Sequence, residues 1–312
     1  MARPRPAKGL RHEARRGKVV GPGRFQARET IGEHLSMSPG MSSGNDSAEA
    51  PASVTEPLLL REESGGVCTL TLNRPDQYNA LSEAMLGELQ SALDAIAADS
   101  SVRVVVLAAR GKAFCAGHDL KEMRAKPDQG YYEALFKTCS RMMLSIVHLP
   151  QPVIARVQGI ATAAGCQLVA TCDLAVASSE ASLGASGINV GLFCMTPGVA
   201  MARKVKRKDA FELLFTGDII PAERACELGL INRVVPPAEL DTAIAELAQS
   251  IIAKSQAAVA AGKRVFYKQL EMGLEAAYEY ASEEMARNMM FHDAGEGIDA
   301  FIGKRKPVWL HK

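Results

Sequence analysis

The sequence lacks the residue spacings that build disulfide frameworks and metal sites. Its seven cysteines are odd in number and scattered, and no two of them form a C-x-x-C pair. Its six histidines show no H-x-x-x-H spacing. A disulfide scaffold and a zinc site are therefore not indicated, and reduced thiols in an intracellular protein are expected.

The chain also has little net charge and no long apolar run. Lys and Arg number 36 against 35 Asp and Glu, which leaves a formal charge of +1. This balance gives no strong electrostatic field for nucleic acid or for a membrane surface. No apolar stretch approaches the length that spans a bilayer. We therefore expect no nucleic-acid partner, no membrane span and no bound metal.

The N-terminal residues 1–53 differ in composition from the rest of the chain. They are rich in Arg and Lys at first and in Ser, Gly, Pro and Ala from Ser36 to Ser53, so we predict a disordered extension. An Arg-rich, acid-poor start is typical of an organellar transit peptide, but the first 35 residues contain no serine. A dispensable extension upstream of a start at Met37 or Met41 explains the segment equally well. We expect a cytoplasmic protein, or a mitochondrial matrix protein if the segment is a transit peptide.

The remaining residues are apolar enough for a large core, since 47% of the chain is hydrophobic. Ser82 precedes an amphipathic pattern and is predicted to cap a helix that buries Met85, Leu89, Leu93 and Ile96. A continuous apolar run at Val102–Leu107 predicts a strand that is covered on both faces. A further helix is predicted over Tyr131–Val147. Helical patterns without strands follow Pro236, at Leu240–Ala253, Ala257–Met272, Leu274–Met290 and Gly297–Phe301.

The stretch from Arg156 to Asp173 predicts a strand, a turn and a helix, with small residues throughout the turn. These small residues are Gly159, Ala161, Ala163, Ala164 and Gly165. They let a ligand atom reach backbone N–H groups at a helix start, where the N–H groups have no internal partner. An anion or a developing oxyanion would suit this place. Tight packing of a helix on a sheet explains the small residues equally well.

A second stretch, Lys112–Met123, also places small residues at the end of a strand. It follows the apolar run and contains Ala116 and Gly117 before His118 and Asp119. Two such turns can offer two N–H donors to one oxygen atom.

The two stretches, K-A-F-C-A-G-H-D-L-K-E-M and G-I-A-T-A-A-G-C-Q-L, resemble the paired signature of the crotonase (enoyl-CoA hydratase/isomerase) superfamily. The resemblance extends from Pro57 to the C-terminus. It implies an α/β fold, a crotonase-like spiral of ββα units with a C-terminal helical oligomerisation region. Residues 54–236 would form the core with an acyl-CoA site, and residues 237–312 the helical region. It also implies a homotrimer or hexamer that takes a coenzyme A thioester as substrate or ligand and needs no other cofactor.

The same resemblance assigns roles to particular residues. The backbone N–H groups of His118 and Ala164 would form an oxyanion hole, and Ala164 replaces a glycine that hydratases commonly have there. Residues predicted to contact coenzyme A are Lys112, Ala116, Asp119, Leu120, Lys121, Gly165 and Lys268. Further basic residues near the C-terminus, including Lys263, Arg264 and Arg305, could meet its phosphates or form a solvated face.

The sequence departs from the family at the two glutamates that hold and activate water in typical hydratases. Gln167 and Gly187 occupy those positions. A glutamine amide can orient water but cannot accept a proton near neutral pH, and glycine has no side chain. Because each positioned acid or base contributes about 10²- to 10⁴-fold in rate, efficient two-glutamate hydration is not expected.

Other polar side chains could substitute for these glutamates, and each has a structural alternative. The His118 imidazole has a suitable pKa but could point away from the site. Cys166 could be a nucleophile at a helix start or a small core residue, and Asp119 is expected to stabilise its own turn. Ser186 and Asn189 flank Gly187 and could hold water, and Cys194 is a weaker candidate.

Three functional hypotheses follow from these residues. The first is an acyl-CoA lyase or isomerase-type enzyme with an enolate hole and a reaction other than rapid hydration. The second is a non-catalytic acyl-CoA-binding or regulatory homologue. The third is a true hydratase that combines Gln167 with another group, and the acid/base positions weigh against it.

Overall fold

Two β-sheets organise the computed structural model, which describes residues 56–312. The predicted disordered extension at residues 1–53 lies outside the described residues. Six strands form the larger sheet in the spatial order β1 (Leu59–Ser64), β2 (Val67–Leu72), β3 (Val104–Ala109), β5 (Val153–Val157), β7 (Leu174–Ser178) and β10 (Arg233–Val235). Four short strands form the smaller sheet in the order β4 (Ala113–Cys115), β6 (Ile160–Thr162), β8 (Ser182–Gly184) and β9 (Ile219–Pro221).

Neighbouring strands are parallel, with one antiparallel pair at an edge of each sheet. β1 pairs antiparallel with β2, and β9 pairs antiparallel with β8. The hairpin between β1 and β2 turns at Gly65 and Gly66, both of which have positive φ. Parallel pairing needs crossover connections, and helices provide most of them.

Helices cover the sheets and then form the C-terminal part without further strands. In chain order they are α1 (Glu83–Ala97), α2 (Leu120–Ala125), α3 (Gln129–His148), α4 (Ala164–Thr171), α5 (Met195–Met201), α6 (Arg207–Thr216), α7 (Ala222–Leu228), α8 (Leu240–Ile252), α9 (Gln256–Gln269), α10 (Leu274–Met289) and α11 (His292–Ile302). The expected spiral of ββα units with C-terminal helices is confirmed.

The first helix and the central strand follow their sequence patterns. Ser82 caps α1, where its side-chain oxygen accepts a hydrogen bond of 3.1 Å from the Met85 N–H. All six residues of β3 are buried. Val105 and Leu107 face the main core, whereas Val104 and Val106 pack on the opposite face with α8. A strand covered on both faces has no polar side, which is why its sequence is a continuous apolar run.

Several elements differ from their predicted extents. The sequence patterns do not predict β4, β6 and α2 as separate elements. These elements are three to six residues long, which is too short to show a clear periodicity. α11 begins at His292 rather than Gly297. Its first turn uses the buried Asp293, whose carboxylate accepts hydrogen bonds from the backbone N–H groups of Leu310 and His311.

A buried ion pair attaches α9 to the sheet. The Lys263 ammonium lies 2.7 Å from the Asp173 carboxylate and donates to the carbonyl oxygens of Ile146 and Gln151. The Tyr267 hydroxyl donates to the same carboxylate at 2.8 Å. The Lys263 side chain is only 6% exposed, and burial lowers its pKa against the opposing effect of Asp173. This lysine is therefore inside the fold, which contradicts the hypothesis that it meets a phosphate.

Replacing Lys263 by Met is expected to lower the free energy of unfolding by about 3 kcal/mol, because it leaves a buried carboxylate without its cation. Urea denaturation followed by circular dichroism measures the change. The control is Lys268→Met on the same helix, where the ammonium is exposed and contacts the Tyr280 ring. That variant should change stability by less than about 1 kcal/mol. Equal losses in the two variants would contradict this description of α9.

Candidate functional site

The two turns predicted from separate stretches of sequence touch each other at Gly117. This residue has a φ of +94°, which favours glycine. A Cβ atom at residue 117 would lie 3.0 Å from the Ala163 Cβ and 3.1 Å from the Ala164 nitrogen. The missing side chain therefore lets the two turns approach each other closely.

The backbone around His118 directs the N–H group of that residue away from its neighbouring strand. The Leu81 N–H donates to the Gly117 carbonyl at 2.8 Å, and the Asp119 N–H donates to the Leu81 carbonyl at 3.4 Å. Leu81 and His118 form a parallel β-bridge, in which Leu81 bonds to the residues before and after His118. The N–H group of His118 itself therefore points away from Leu81. Within residues 56–312, the His118 N–H has no hydrogen-bond acceptor.

The second donor is the N–H group of Ala164, the first residue of α4. The first N–H groups of a helix have no intrahelical acceptor. That of Ala164 also has none elsewhere among the described residues. Ala163 precedes it with φ +50° and ψ −120°, a conformation that is strained for alanine and costs about 1–3 kcal/mol. This strained residue directly precedes Ala164 and so sets the direction of the Ala164 N–H group.

Two other glycines allow backbone segments to pack closely. A Cβ atom would lie 2.0 Å from the Lys112 carbonyl oxygen at Gly159, and 2.0 Å from the Cys115 carbonyl oxygen at Gly165. These glycines therefore serve packing of β6 and α4 on β4. Gly117 lets the turns approach beside the His118 and Ala164 N–H groups, which have no acceptor among residues 56–312. Close packing therefore explains the glycines, and the two N–H groups remain for a ligand.

The segments that supply these donors also carry the polar side chains of His118 and Gln167. The His118 ring packs edge-on against Phe136 of α3, with ring centroids 5.4 Å apart. Burial lowers the pKa of His118, and the Leu81 carbonyl offsets only part of that shift. Gln167 is 5% exposed, and its Oε1 atom has no hydrogen-bond partner in the described part of the chain.

Backbone closes the space beside Gly187, the predicted position of the second family glutamate. A Cβ atom at Gly187 would lie 2.3 Å from the Leu192 carbonyl oxygen and 2.8 Å from the Cys194 sulfur. The Leu192 N–H also donates to the Gly187 carbonyl at 3.0 Å. A glutamate therefore could not be placed at residue 187 without moving this loop.

The structure uses the Asp119 carboxylate to cap α2. Its Oδ1 atom accepts from the Lys121 and Glu122 N–H groups, and its Oδ2 atom lies 3.2 Å from Arg74. Burial opposes ionisation, but these hydrogen bonds hold the pKa of Asp119 below its usual value. The structural interpretation of this residue fits these contacts.

The other predicted coenzyme A contacts differ in accessibility. Lys112, Leu120, Lys121 and Lys268 are exposed, whereas Ala116 is half-buried and its N–H donates to the Tyr78 carbonyl. The side chains of Arg264 and Arg305 form ion pairs with Glu284 and Glu296. Contact of any of these residues with coenzyme A stays a prediction.

The remaining candidates for catalytic side chains are engaged or unreactive. Burial raises the pKa of Cys166 to about 12, so a nucleophilic thiolate is not available there. Burial likewise raises the pKa of Cys194. The Ser186 and Thr162 hydroxyls lie 2.7 Å apart, and the Asn189 amide donates to the Gly217 carbonyl.

Sequence reasoning missed three contributors to the site. The strained Ala163 lay within the run of small residues, which gave a signal for the turn but not for its geometry. The Leu81 bridge and the Phe136 contact depend on segments distant in sequence, so no local pattern could indicate them.

The family profile described as enoyl-CoA hydratase/isomerase matches residues 62–312. The chain belongs to the enoyl-CoA hydratase/isomerase family. It is similar to the mitochondrial enoyl-CoA hydratase domain-containing protein 3 of Mus musculus, with 46% identity over 85% of this chain and 89% of that protein. The resemblance stated from the two motifs is thereby confirmed.

Solved structures of this family share the fold. The enoyl-CoA hydratase of Mycobacterium smegmatis is 60% identical, covers 81% of this chain and 99% of its own, and has a TM-score of 0.81. Human enoyl-CoA hydratase domain-containing protein 3 is 46% identical, covers 81% of this chain and 100% of its own, and has a TM-score of 0.79.

Gly117→Ala is expected to weaken acyl-CoA binding at least about tenfold, because the added methyl group crowds the Ala164 donor and a lost hydrogen bond of about 1.4 kcal/mol corresponds to that factor. Isothermal titration calorimetry with butanoyl-CoA measures it. Gly65→Ala is the matched control, because it also places alanine at positive φ but meets no atom within 4 Å. Unchanged binding in Gly117→Ala would contradict the placement of the donors.

Proposed function

We propose that the chain binds acyl-CoA thioesters and stabilises a thioester enolate between the backbone N–H groups of His118 and Ala164. The observation that carries this proposal is the contact of the two turns at Gly117, beside two N–H groups that have no acceptor within residues 56–312. Membership of the enoyl-CoA hydratase/isomerase family supports the same ligand class.

The chemistry follows from where charge develops. When a thioester loses a proton from its α-carbon, or is attacked at its β-carbon, the carbonyl oxygen becomes an enolate oxygen. Fixed N–H donors stabilise that charge better than water does, and one such donor is worth about 10²- to 10³-fold in rate. Both donors belong to the main chain, so replacing the family glycine by Ala164 retains the N–H group.

The reaction we propose is of the acyl-CoA lyase or isomerase type, but it is not rapid two-glutamate hydration. Gln167 cannot accept a proton near neutral pH. The loop at Leu192 closes the space beside Gly187. Isomerisation, decarboxylation and slow hydration pass through an enolate, and thioester cleavage passes through a tetrahedral oxyanion. Each can use the two N–H donors without that pair of glutamates. The name of the Mycobacterium smegmatis relative, an enoyl-CoA hydratase, favours an enzyme over a non-catalytic binder.

We also propose a homo-oligomer, a trimer or a pair of trimers. Its support is exposed apolar side chains on α5 and α6. Phe211 and Phe215 are 59% and 52% exposed and stack at a centroid distance of 3.8 Å. Met195 and Val199 on α5 are exposed as well. Large apolar side chains exposed next to each other, as Phe211 and Phe215 are, are typical of protein interfaces.

The location of the protein is proposed from its relatives. The mouse relative is named mitochondrial, which supports the mitochondrial alternative over the predicted cytoplasmic location. The name of the Mycobacterium smegmatis protein gives no location. Among the described residues, the helices are too short or too polar to cross a membrane.

The purified protein is expected to bind butanoyl-CoA and to hydrate crotonyl-CoA at least about 100-fold more slowly than a two-glutamate hydratase, because both carboxylates are missing. Loss of the conjugated thioester absorbance follows the reaction. Gln167→Glu should raise this rate, since it restores a carboxylate without changing the backbone. Gln167→Met is the control of similar shape without a carboxylate, and it should not raise the rate.

Two results would contradict the proposal. Hydration by the unmodified protein at the rate of an ordinary hydratase would show that Gln167 and Gly187 do not limit it. Absence of acyl-CoA binding would remove the proposed ligand class altogether.

A further inference from the structure

We propose that the Arg74 guanidinium orients and polarises the His118 N–H donor through two peptide groups. Arg74 is a positioning residue in this proposal, because it acts through the backbone and needs no contact with the thioester. The inference rests on the proposed function, since the strength of the His118 donor matters only if a thioester carbonyl binds to it.

Two hydrogen bonds and two peptide groups connect the guanidinium to the donor. The Arg74 Nη1 atom donates to the Ala80 carbonyl at 2.9 Å. The N–H of the same peptide group belongs to Leu81 and donates to the Gly117 carbonyl at 2.8 Å. The N–H of that second peptide group is the His118 donor. Because the C=O and N–H groups of a trans peptide point in opposite directions, these hydrogen bonds follow one another in a chain that ends at the donor.

Hydrogen bonds in such a chain strengthen one another. A carbonyl that accepts a hydrogen bond withdraws electron density from its own N–H group and makes it a better donor, by about 10–30% per bond. The first donor of this chain is a cation, and charged donors form the stronger hydrogen bonds. The His118 N–H should therefore be a stronger donor than the N–H of an isolated peptide group.

The segment before Leu81 is held in place by Asn79. The Asn79 amide is buried and donates to the carbonyls of Arg110 and Ala113, both at 2.8 Å. Its Oδ1 atom accepts from the Arg74 N–H at 2.9 Å. Asn79 has a φ of +53°, in a region that asparagine adopts more readily than most residues. These contacts fix Arg74 and the first peptide group of the chain relative to β4.

The Asp119 carboxylate binds the other nitrogen of the guanidinium. The Arg74 Nη2 atom lies 3.2 Å from the carboxylate, and each of the two side chains is 14% exposed. Burial opposes ionisation, but hydrogen bonds from the Glu122 N–H and from Arg74 hold the pKa of Asp119 below its usual value. The pair is therefore charged near pH 7, and it holds the guanidinium in one orientation.

The ion pair also removes a charge that would oppose the proposed chemistry. Asp119 directly follows His118 in the chain. An unpaired carboxylate at this position would repel an enolate oxygen held by the His118 N–H. Pairing with Arg74 compensates that negative charge, so the same side chain acts on the donor in two ways.

The test is the infrared stretching frequency of the ¹³C-labelled thioester carbonyl of butanoyl-CoA, recorded with the full chain saturated with this ligand. Binding to the unmodified protein should move the band below its frequency in water. Arg74→Met should lose at least about 20% of that shift, because it removes the cation and the first hydrogen bond of the chain. Arg74→Lys should keep more of the shift than Arg74→Met, since an ammonium can still donate to the Ala80 carbonyl.

Lys263→Met is the matched control. Like Arg74→Met, it removes a buried cation from a carboxylate. The Lys263 ammonium, however, donates to Ile146, Gln151 and Asp173 and not to the chain of peptide groups that ends at the donor. The control should lower stability without moving the carbonyl band, so it separates positioning of the donor from a purely structural role.

A carbonyl band in Arg74→Met at the frequency of the unmodified protein would overturn the inference. An equal loss of shift in Lys263→Met would overturn it as well, and so would an Arg74→Lys band no lower than that of Arg74→Met. If Arg74→Met does not fold, Arg74→Gln takes its place, because its neutral amide can still donate to the Ala80 carbonyl.

The unmodified protein distinguishes this inference from the function on which it rests. Absence of butanoyl-CoA binding, or a bound carbonyl band that is not below its frequency in water, would refute the proposed function. A lowered band that does not respond to replacement of Arg74 would leave the proposed function intact and refute the role of Arg74.

Discussion

The close approach of two backbone turns at Gly117 is the constraint on which the rest of the site depends. Parallel pairing of β4 and β6 brings the turns to the same edge of the smaller sheet. Gly159 and Gly165 permit that pairing, because a Cβ atom at either residue would meet a carbonyl oxygen at 2.0 Å. Ala163 then holds a strained conformation that aims the Ala164 N–H. Packing energy spread over the core sustains a local arrangement that is unfavourable by itself.

A site built from main-chain donors separates ligand binding from reaction type. Side chains can change around His118 and Ala164 without removing an N–H group, so under the proposed function the capacity to polarise a thioester would persist. Proton transfer depends on side chains and does not persist in this way. At the two predicted glutamate positions, Gln167 has no carboxylate, and the loop at Leu192 fills the space beside Gly187. The family fold therefore fixes the ligand class more firmly than the chemistry, as is general for folds that host several reactions.

Elements with long, regular patterns could be predicted from sequence, and contacts between distant segments could not. The Ser82 cap and the buried face of α1 follow from local periodicity, and the apolar run of β3 follows from burial on both sides. The pair of turns was predictable because small residues recur in two motifs. The contact of Leu192 and Cys194 with Gly187 could not be predicted, since it depends on the conformation of the loop that follows Gly187. The same holds for Lys263, whose sequence context does not distinguish a buried ammonium from an exposed one.

The most direct measurement of the central claim is the infrared stretching frequency of a ¹³C-labelled thioester carbonyl in bound butanoyl-CoA. Two converging N–H donors polarise the carbonyl more strongly than water does, so the band should move to lower frequency on binding. A carbonyl in an apolar cleft without donors would lose its hydrogen bonds to water. An unshifted band, or one at higher frequency, would therefore contradict the oxyanion hole at His118 and Ala164.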